Sequence, residues 1–341
     1  MDSPSAFRIT CSAAARDIGG QRKQQDNGFS TALSDADGRT LVVAAVFDGH
    51  GARRGEMFSA LCVSTLAEQV SADDFVGRFI NNPENTGREI FAAIAGRCFE
   101  ANKAELVERG AAFVEENGLL QTDFMSMLNG GSTGTVLFVT GTGTIHTFNV
   151  GDSDAWFVSV PEGVARPLCA CHSPDSASEY CRVHATWPDT RFEYHYSVAC
   201  GRPRNPDGDH VFPARDNFTG YYAKNINGDM ATLLKVGASS LAMTRAFGDE
   251  PLRHGGLIAE PDYKCVQAGA SGVLQIATDG FWDNIRNSDI APSVTAALQT
   301  HGFDADALNT AWLEKTRAAA LANFGASRDN MWAYTLVLQT Q

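Results

Sequence analysis

The chain has 341 residues, more than a typical single domain but not enough to demand two, and its 44% hydrophobic and 20% charged residues exclude a disordered chain. Forty acidic against 27 basic residues give a net charge of -13, which argues against a nucleic-acid backbone or an anionic membrane as main partner and suits cations. The start, Met1-Asp2-Ser3-Pro4-Ser5, shows no secretory leader or myristoylation glycine, and no apolar run is long enough to span a membrane. The eight cysteines are scattered and read as reduced thiols. We therefore expect one domain over residues 1–341, cytoplasmic or nuclear, whose sequon at Asn217-Phe218-Thr219 meets no glycosyltransferase.

Residues 6–13 and 28–33 read as strands on either side of a polar loop that carries Asp26. A buried strand over 40–47 stops abruptly in Asp48-Gly49-His50-Gly51. Met57, Phe58, Leu61, Cys62, Leu66 and Val70 then recur at helical spacing and predict a helix over 53–71. Further helices are expected over 88–108 and 116–128. Gly130-Gly131-Ser132-Thr133-Gly134 opens a hairpin of 133–140 and 144–150 around a Gly-Thr-Gly turn, and 155–160 continues the meander. A helix over 174–183 leads into an irregular insertion at about 184–236, rich in Pro, Gly, Asn, Asp and Tyr. Strands over 262–268 and 272–278, helices over 288–299 and 304–323, and a last strand over 331–339 complete the chain.

Asp48, Asp152, Asp279 and Asp329 share one context: each lies beside an apolar strand, in a loop with glycine or asparagine. Aspartates cap turns everywhere, so any one of them is weak evidence of chemistry. Several brought together by strand ends would repel one another unless cations neutralised them, and oxygen ligands without a partnering His or Cys select Mg²⁺ or Mn²⁺. His50 follows at the same strand end. Its ordinary pKa lies close to working pH, which suits proton transfer.

Asp48-Gly49-His50-Gly51, Gly131-Ser132-Thr133, Asn149-Val150-Gly151-Asp152-Ser153, Leu241 to Asp249, Ile258-Ala259-Glu260-Pro261, Thr278-Asp279-Gly280-Phe281-Trp282-Asp283 and Ser327-Arg328-Asp329-Asn330 follow in an order that resembles the metal-dependent protein phosphatase 2C family. The resemblance covers nearly the whole chain. It implies an α+β fold, an αββα sandwich of two antiparallel β-sheets flanked by helices, with two Mg²⁺ or Mn²⁺ ions at one end and a looser third. It implies hydrolysis of phosphoserine and phosphothreonine esters in phosphoproteins by a metal-activated water. By the same resemblance Asp48 bridges the two ions, the Gly49 carbonyl binds one of them, and Asp279 and Asp329 hold the other. Asp26 acts through metal-bound water, Asp152 serves the third ion with Asp279, and His50 protonates the leaving alkoxide. The alternative is a catalytically impaired scaffold or regulatory subunit of the same fold.

Four departures from the family pattern stand out. Arg22, expected to grip the substrate phosphate, lies four rather than five residues before Asp26. Gln25 stands where many members have glutamate, so an amide is expected where a carboxylate would serve the ion through water. Asp154 stands where the family has arginine; it either adds charge beside Asp152 or points into solvent, and we expect the latter. Cys169, Cys171, His172, Cys181 and His184 match no standard zinc spacing, whereas Cys171-His172-Ser173-Pro174 with Glu179 and Arg182 resembles another family stretch. The 184–236 insertion takes the place of the family's flap beside the site.

Overall fold

The strand Thr40–Phe47 is buried on both faces, and its alternation divides the molecule. Leu41, Val43, Ala45 and Phe47 point to a core shared with Phe58, Cys62 and Leu66 of the helix Gly55–Val70 and with Ile90, Phe91 and Ile94 of the helix Pro83–Glu108. Val42, Ala44 and Val46 point the other way, against Phe157, Leu274, Ile276, Trp332 and Leu336 of a second sheet. That sheet's far face packs Val273, Ala333 and Val337 on Ile290, Val294, Leu308 and Trp312 of the helices Ile290–His301 and Ala305–Phe324. The result is helices, sheet, sheet, helices, in the expected α+β sandwich order. The computed structural model describes residues 6–51, 54–174, 176–195 and 231–341.

One sheet runs Asp262–Gln267, Thr144–Val150, Gly134–Thr140, Thr40–Phe47, Asn27–Ser34; the other runs Phe7–Cys11, Met331–Thr340, Gly272–Ala277, Asp154–Ser159, Val164–Pro167. Every pairing in both is antiparallel. Among the described residues no helix is long and apolar enough to cross a membrane.

Local signals explain most element ends. Pro83 opens its helix where a missing N–H costs nothing, Asp304 caps the Ala307 N–H at 3.0 Å, and Gly325 (φ +56°) closes the helix that follows.

Three expectations fail. The helix expected over 116–128 is a hairpin of Val114–Glu116 and Leu119–Gln121 followed by a short 3₁₀ turn, because Asn117 (φ +53°) and Gly118 (φ +74°) form the two-residue turn that Asn-Gly favours. The strand Asp154–Ser159 does not continue the meander but pairs with Gly272–Ala277 in the opposite sheet, so Gly151–Ser153 is a crossover between sheets. The 184–236 insertion is not wholly irregular: Arg191–His195, Ala231–Val236 and Ser239–Leu241 form a three-stranded sheet, while residues 196–230 lie outside the described residues.

Candidate metal centre

Register brings the carboxylates together. Asn27 pairs with Phe47, so Asp26 and Asp48 leave adjacent strands at the same end. In the other sheet Ala277 pairs with Ala333, and the Thr278 N–H donates to the Trp332 carbonyl at 3.1 Å, which sets Asp279 beside the Asp329-Asn330 turn. The two ends are tied by Thr278, whose hydroxyl donates to Asp26 Oδ2 at 2.7 Å while accepting the Trp332 N–H at 3.1 Å. A second tie runs from the Gln25 N–H to Asn330 Oδ1 at 2.9 Å. Neither Thr278 nor Asn330 stood out as a site residue in the sequence, since each acts by joining segments about 250 to 300 positions apart.

Glycines allow the close approach. A Cβ on Gly49 would lie 2.5 Å from the Gln25 carbonyl oxygen and 2.3 Å from that of Gly55, and one on Gly280 would lie 2.0 Å from the Asn330 oxygen. Asp48 is fixed from behind, its N–H donating to Thr133 Oγ1 at 3.1 Å and its carbonyl accepting the Thr133 N–H at 2.8 Å.

Burial pushes the Asp26 carboxyl well above its usual range, and the charges of Asp329 and Asp279 add to the rise against the Thr278 hydrogen bond. Asp48 is raised for the same reasons, by burial and then by Asp26, Asp279 and Asp329. Asp329 is exposed and forms the outer lip of the group. Among the described residues no three or more His, Cys, Asp or Glu side chains are placed closely enough to hold a metal ion as they stand. Asp26 and Asp48, raised by burial and by the neighbouring charges, lie with Asp279 and Asp329 in a group that supplies oxygen donors only, the donor type that hard divalent cations take.

Asp152 lies in the crossover, 8% exposed, after Gly151 (φ +106°), where a Cβ would strike the Thr133 side chain at 2.6 Å. Its charge and that of Asp279 both act on His50. The His50 imidazole bonds through Nε2 to Asp249 Oδ2 at 2.5 Å. Burial lowers the His50 pKa, but Asp249, Asp152 and Asp279 outweigh it, and the ring is held above its ordinary value. Asp249 was visible in its motif without any role attached.

The departures resolve as follows. Arg22 is exposed on the loop before Asp26, while its neighbour Gln21 reaches Asp329 Oδ1 at 3.5 Å. Gln25 gives its amide to the Gly51 carbonyl at 2.9 Å, bracing the Asp-Gly-His-Gly turn. Asp154 does not point into solvent: it is half-buried, accepting the Trp156 indole N–H at 2.8 Å and the Ala155 N–H at 2.6 Å. Burial raises its carboxyl to about 6. His172 uses both ring nitrogens, Nδ1 for the Gly151 N–H at 3.0 Å and Nε2 for Asp262 at 3.0 Å.

Comparison with known proteins bears on the sequence and the fold. A family model described as protein phosphatase 2C matches residues 217–326. The probable protein phosphatase 2C 11 of Arabidopsis thaliana is 26% identical over 270 residues, 79% of this chain and 54% of that protein. The probable protein phosphatase 2C 56 of Oryza sativa subsp. japonica is 26% identical over 272 residues, 79% and 57%. The chain spans about half the length of the curated relatives it matches. In fold, the serine-threonine phosphatase 2C of Toxoplasma gondii superposes with a TM-score of 0.59 at 20% identity, over 99% of this chain and 96% of that one. The catalytic domain of the phosphatase PstP, solved in complex with two manganese ions, gives 0.51 at 15% identity, over 98% and 99%. The fold is thus that of the protein serine/threonine phosphatases with this sandwich. In sequence over part of its length, and in fold, the chain is similar to proteins described as protein phosphatase 2C.

Proposed function

We propose that the chain is a Mg²⁺- or Mn²⁺-dependent protein serine/threonine phosphatase acting on phosphoproteins in the cytoplasm or nucleus. The observation that carries this is the convergence of Asp26, Asp48, Asp279 and Asp329 from both sheets, with Asp26 and Asp48 each raised by burial and by the others' charge. Asp48, the Gly49 carbonyl, Asp279 and Asp329 would hold two ions, as in the two-manganese neighbour, with Asp26 acting through water and Asp152 joining Asp279 at a third. Bound there, the cations would offset the cluster's charge and supply the Lewis acidity that phosphate-ester hydrolysis by water requires. The seven described cysteines are all free thiols, which supports a reducing compartment.

The chain's own residues supply positioning and a proton. Thr278 and Asn330 hold the two carboxylate-bearing strand ends at fixed separation, so little reorganisation is needed when charge builds on the phosphoryl group. When the P–O bond to serine or threonine breaks, the departing oxygen takes a proton from His50, the titratable base beside the cluster. Arg22, exposed on its loop, supplies a guanidinium fork for the substrate phosphate.

The test is a panel of phosphoserine, phosphothreonine and phosphotyrosine peptides with Mn²⁺. Phosphate release from the first two is expected. Release only from small-molecule esters would redirect the reading to another class of phosphohydrolase.

A further inference from the structure

Gln25 commits its polar groups to three different segments. Its N–H donates to Asn330 Oδ1 at 2.9 Å, its carbonyl accepts the Ser59 hydroxyl at 2.6 Å, and its side-chain amide donates to the Gly51 carbonyl at 2.9 Å. Asn330 lies just before the strand Met331–Thr340, Ser59 in the helix Gly55–Val70, and Gly51 at the end of the Asp-Gly-His-Gly turn. Among the described residues no hydrogen bond joins the amide to a carboxylate.

The Gly51 carbonyl is the junction of turn and helix. It accepts the Arg54 and Gly55 N–H groups, each at 3.3 Å, and both of these bonds are long, so the Gln25 amide at 2.9 Å is its best donor. On its other side the turn is held by Gly49 and His50, which pair with Ser132 and Gly131. Two glycines make room for Gln25. A Cβ on Gly55 would lie 2.5 Å from Gln25 Nε2, and one on Gly49 would lie 2.5 Å from the Gln25 carbonyl oxygen. Glycine is a poor helix former, and the space it leaves at position 55 is taken by the amide.

We propose that Gln25 is a positioning residue for the cation site: its amide fixes the Gly51 carbonyl, and through it the Gly49 carbonyl and Asp48, in the arrangement that receives the ions. A carbonyl oxygen takes only a donor, so the amide NH₂ must face it, and an ionised carboxylate at position 25 would have no hydrogen to give. Without the donor the turn of the metal-free protein samples other positions. A cation then binds only the fraction that keeps the right one, and its apparent affinity falls by that fraction. The worth of one such hydrogen bond sets the effect at about 3- to 10-fold. This deepens the phosphatase reading and rests on it for what the turn binds, but not for the hydrogen bonds that hold the turn.

Gln25→Met keeps the side-chain length and both backbone bonds while removing the donor; Gln25→Glu keeps the shape and puts an acceptor in its place. In the metal-free protein, amide hydrogen exchange at Arg54 and Gly55 followed by NMR is expected to be about 3- to 10-fold faster in Gln25→Met than in wild type. Calorimetric titration with Mn²⁺ is expected to give a Kd about 3- to 10-fold higher in Gln25→Met, and one no lower than wild type in Gln25→Glu. The melting temperature of Gln25→Met should fall more in Mn²⁺ than in chelator, because the metal-free turn can relax and the loaded one cannot. A merely structural bond would lower it equally in both and leave the Kd unchanged; that result, or unaltered exchange at Arg54 and Gly55, would overturn the proposal. Tighter Mn²⁺ binding by Gln25→Glu would overturn it too, since position 25 would then act on the ion by its own charge. A wild-type protein that binds no Mn²⁺ would refute the phosphatase reading together with this proposal, whereas Mn²⁺ binding that is equal in wild type and Gln25→Met would refute this proposal alone.

Discussion

His172 Nδ1 accepts the Gly151 N–H at 3.0 Å, and the His172 N–H returns to the Gly151 carbonyl at 3.1 Å. This reciprocal pair clamps the crossover that carries Asp152. Because Nδ1 accepts, Nε2 must donate, and it does so to Asp262 Oδ2. His172→Leu leaves a buried N–H without an acceptor and is expected to cost about 1 to 3 kcal/mol in urea denaturation. His172→Asn, which can set an amide oxygen near the Nδ1 position, should recover much of that. Equal losses in both variants would mean that ring packing, rather than the acceptor, holds the turn.

Glu179 predicts a specific acid limb. Its side chain is 2% exposed and accepts Arg245 at 2.6 Å, Arg182 at 2.8 Å and the Thr244 hydroxyl at 2.6 Å. Burial raises its pKa, but the bonds from Arg245, Arg182 and Thr244 outweigh that and hold it at about 2 against an ordinary 4.5. The folded pKa is depressed, so the stabilisation is complete above 4.5 and is lost as pH falls from 4.5 toward about 2. Its size is about 3 kcal/mol at most. Glu179→Gln should be less stable than wild type at pH 7, and the gap should narrow across that window. A gap independent of pH would show that the ion pairs are not what the glutamate contributes.

Asp154→Arg should destabilise the fold by about 1 to 3 kcal/mol, because the Trp156 indole and the Ala155 N–H lose their acceptor and a guanidinium replaces it in a half-buried place. The Mn²⁺ activation curve should stay where it is, since the carboxylate is committed to Trp156 and Ala155. A shift of that curve with an unchanged melting temperature would instead place the Asp154 charge within the site.

Asp48→Asn should raise the melting temperature of the chelator-treated protein while lowering the gain in stability on adding Mn²⁺. Removing one of four mutually repelling carboxylates relieves the metal-free fold, and the same change removes ligand charge. Thermal scans with and without Mn²⁺ measure both effects; a lower melting temperature in chelator would show that Asp48 stabilises the fold by itself.

The aspartates at strand ends were legible because an apolar run and the turn after it are local signals, and Asp48, Asp152 and Asp279 lie just after strand patterning ends, whereas Asp26 lies in a polar loop before a strand. Their convergence was not local. It depends on registers such as Asn27 with Phe47 and on the Thr278 hydroxyl reaching Asp26. Period-two patterning tells which face of a strand is buried but not which strand it pairs with, so Asp154–Ser159 was given to the wrong sheet. At residues 116–128 the turn signal was present in Asn117-Gly118, and helical spacing of apolar residues was wrongly preferred to it. Asp249 lay beyond sequence reasoning, since its left-handed backbone is imposed by Gly130 and Gly131 from a distant segment.

The central claim, that the carboxylate cluster is a cation-dependent phosphatase site, is tested most directly by phosphate release from a phosphothreonine peptide across a Mn²⁺ titration, with Asp48→Asn measured beside wild type. Wild-type turnover should rise from background in chelator to saturation, while Asp48→Asn stays near background at every Mn²⁺ concentration. Undiminished turnover in excess chelator, or near wild-type rates from Asp48→Asn, would contradict it.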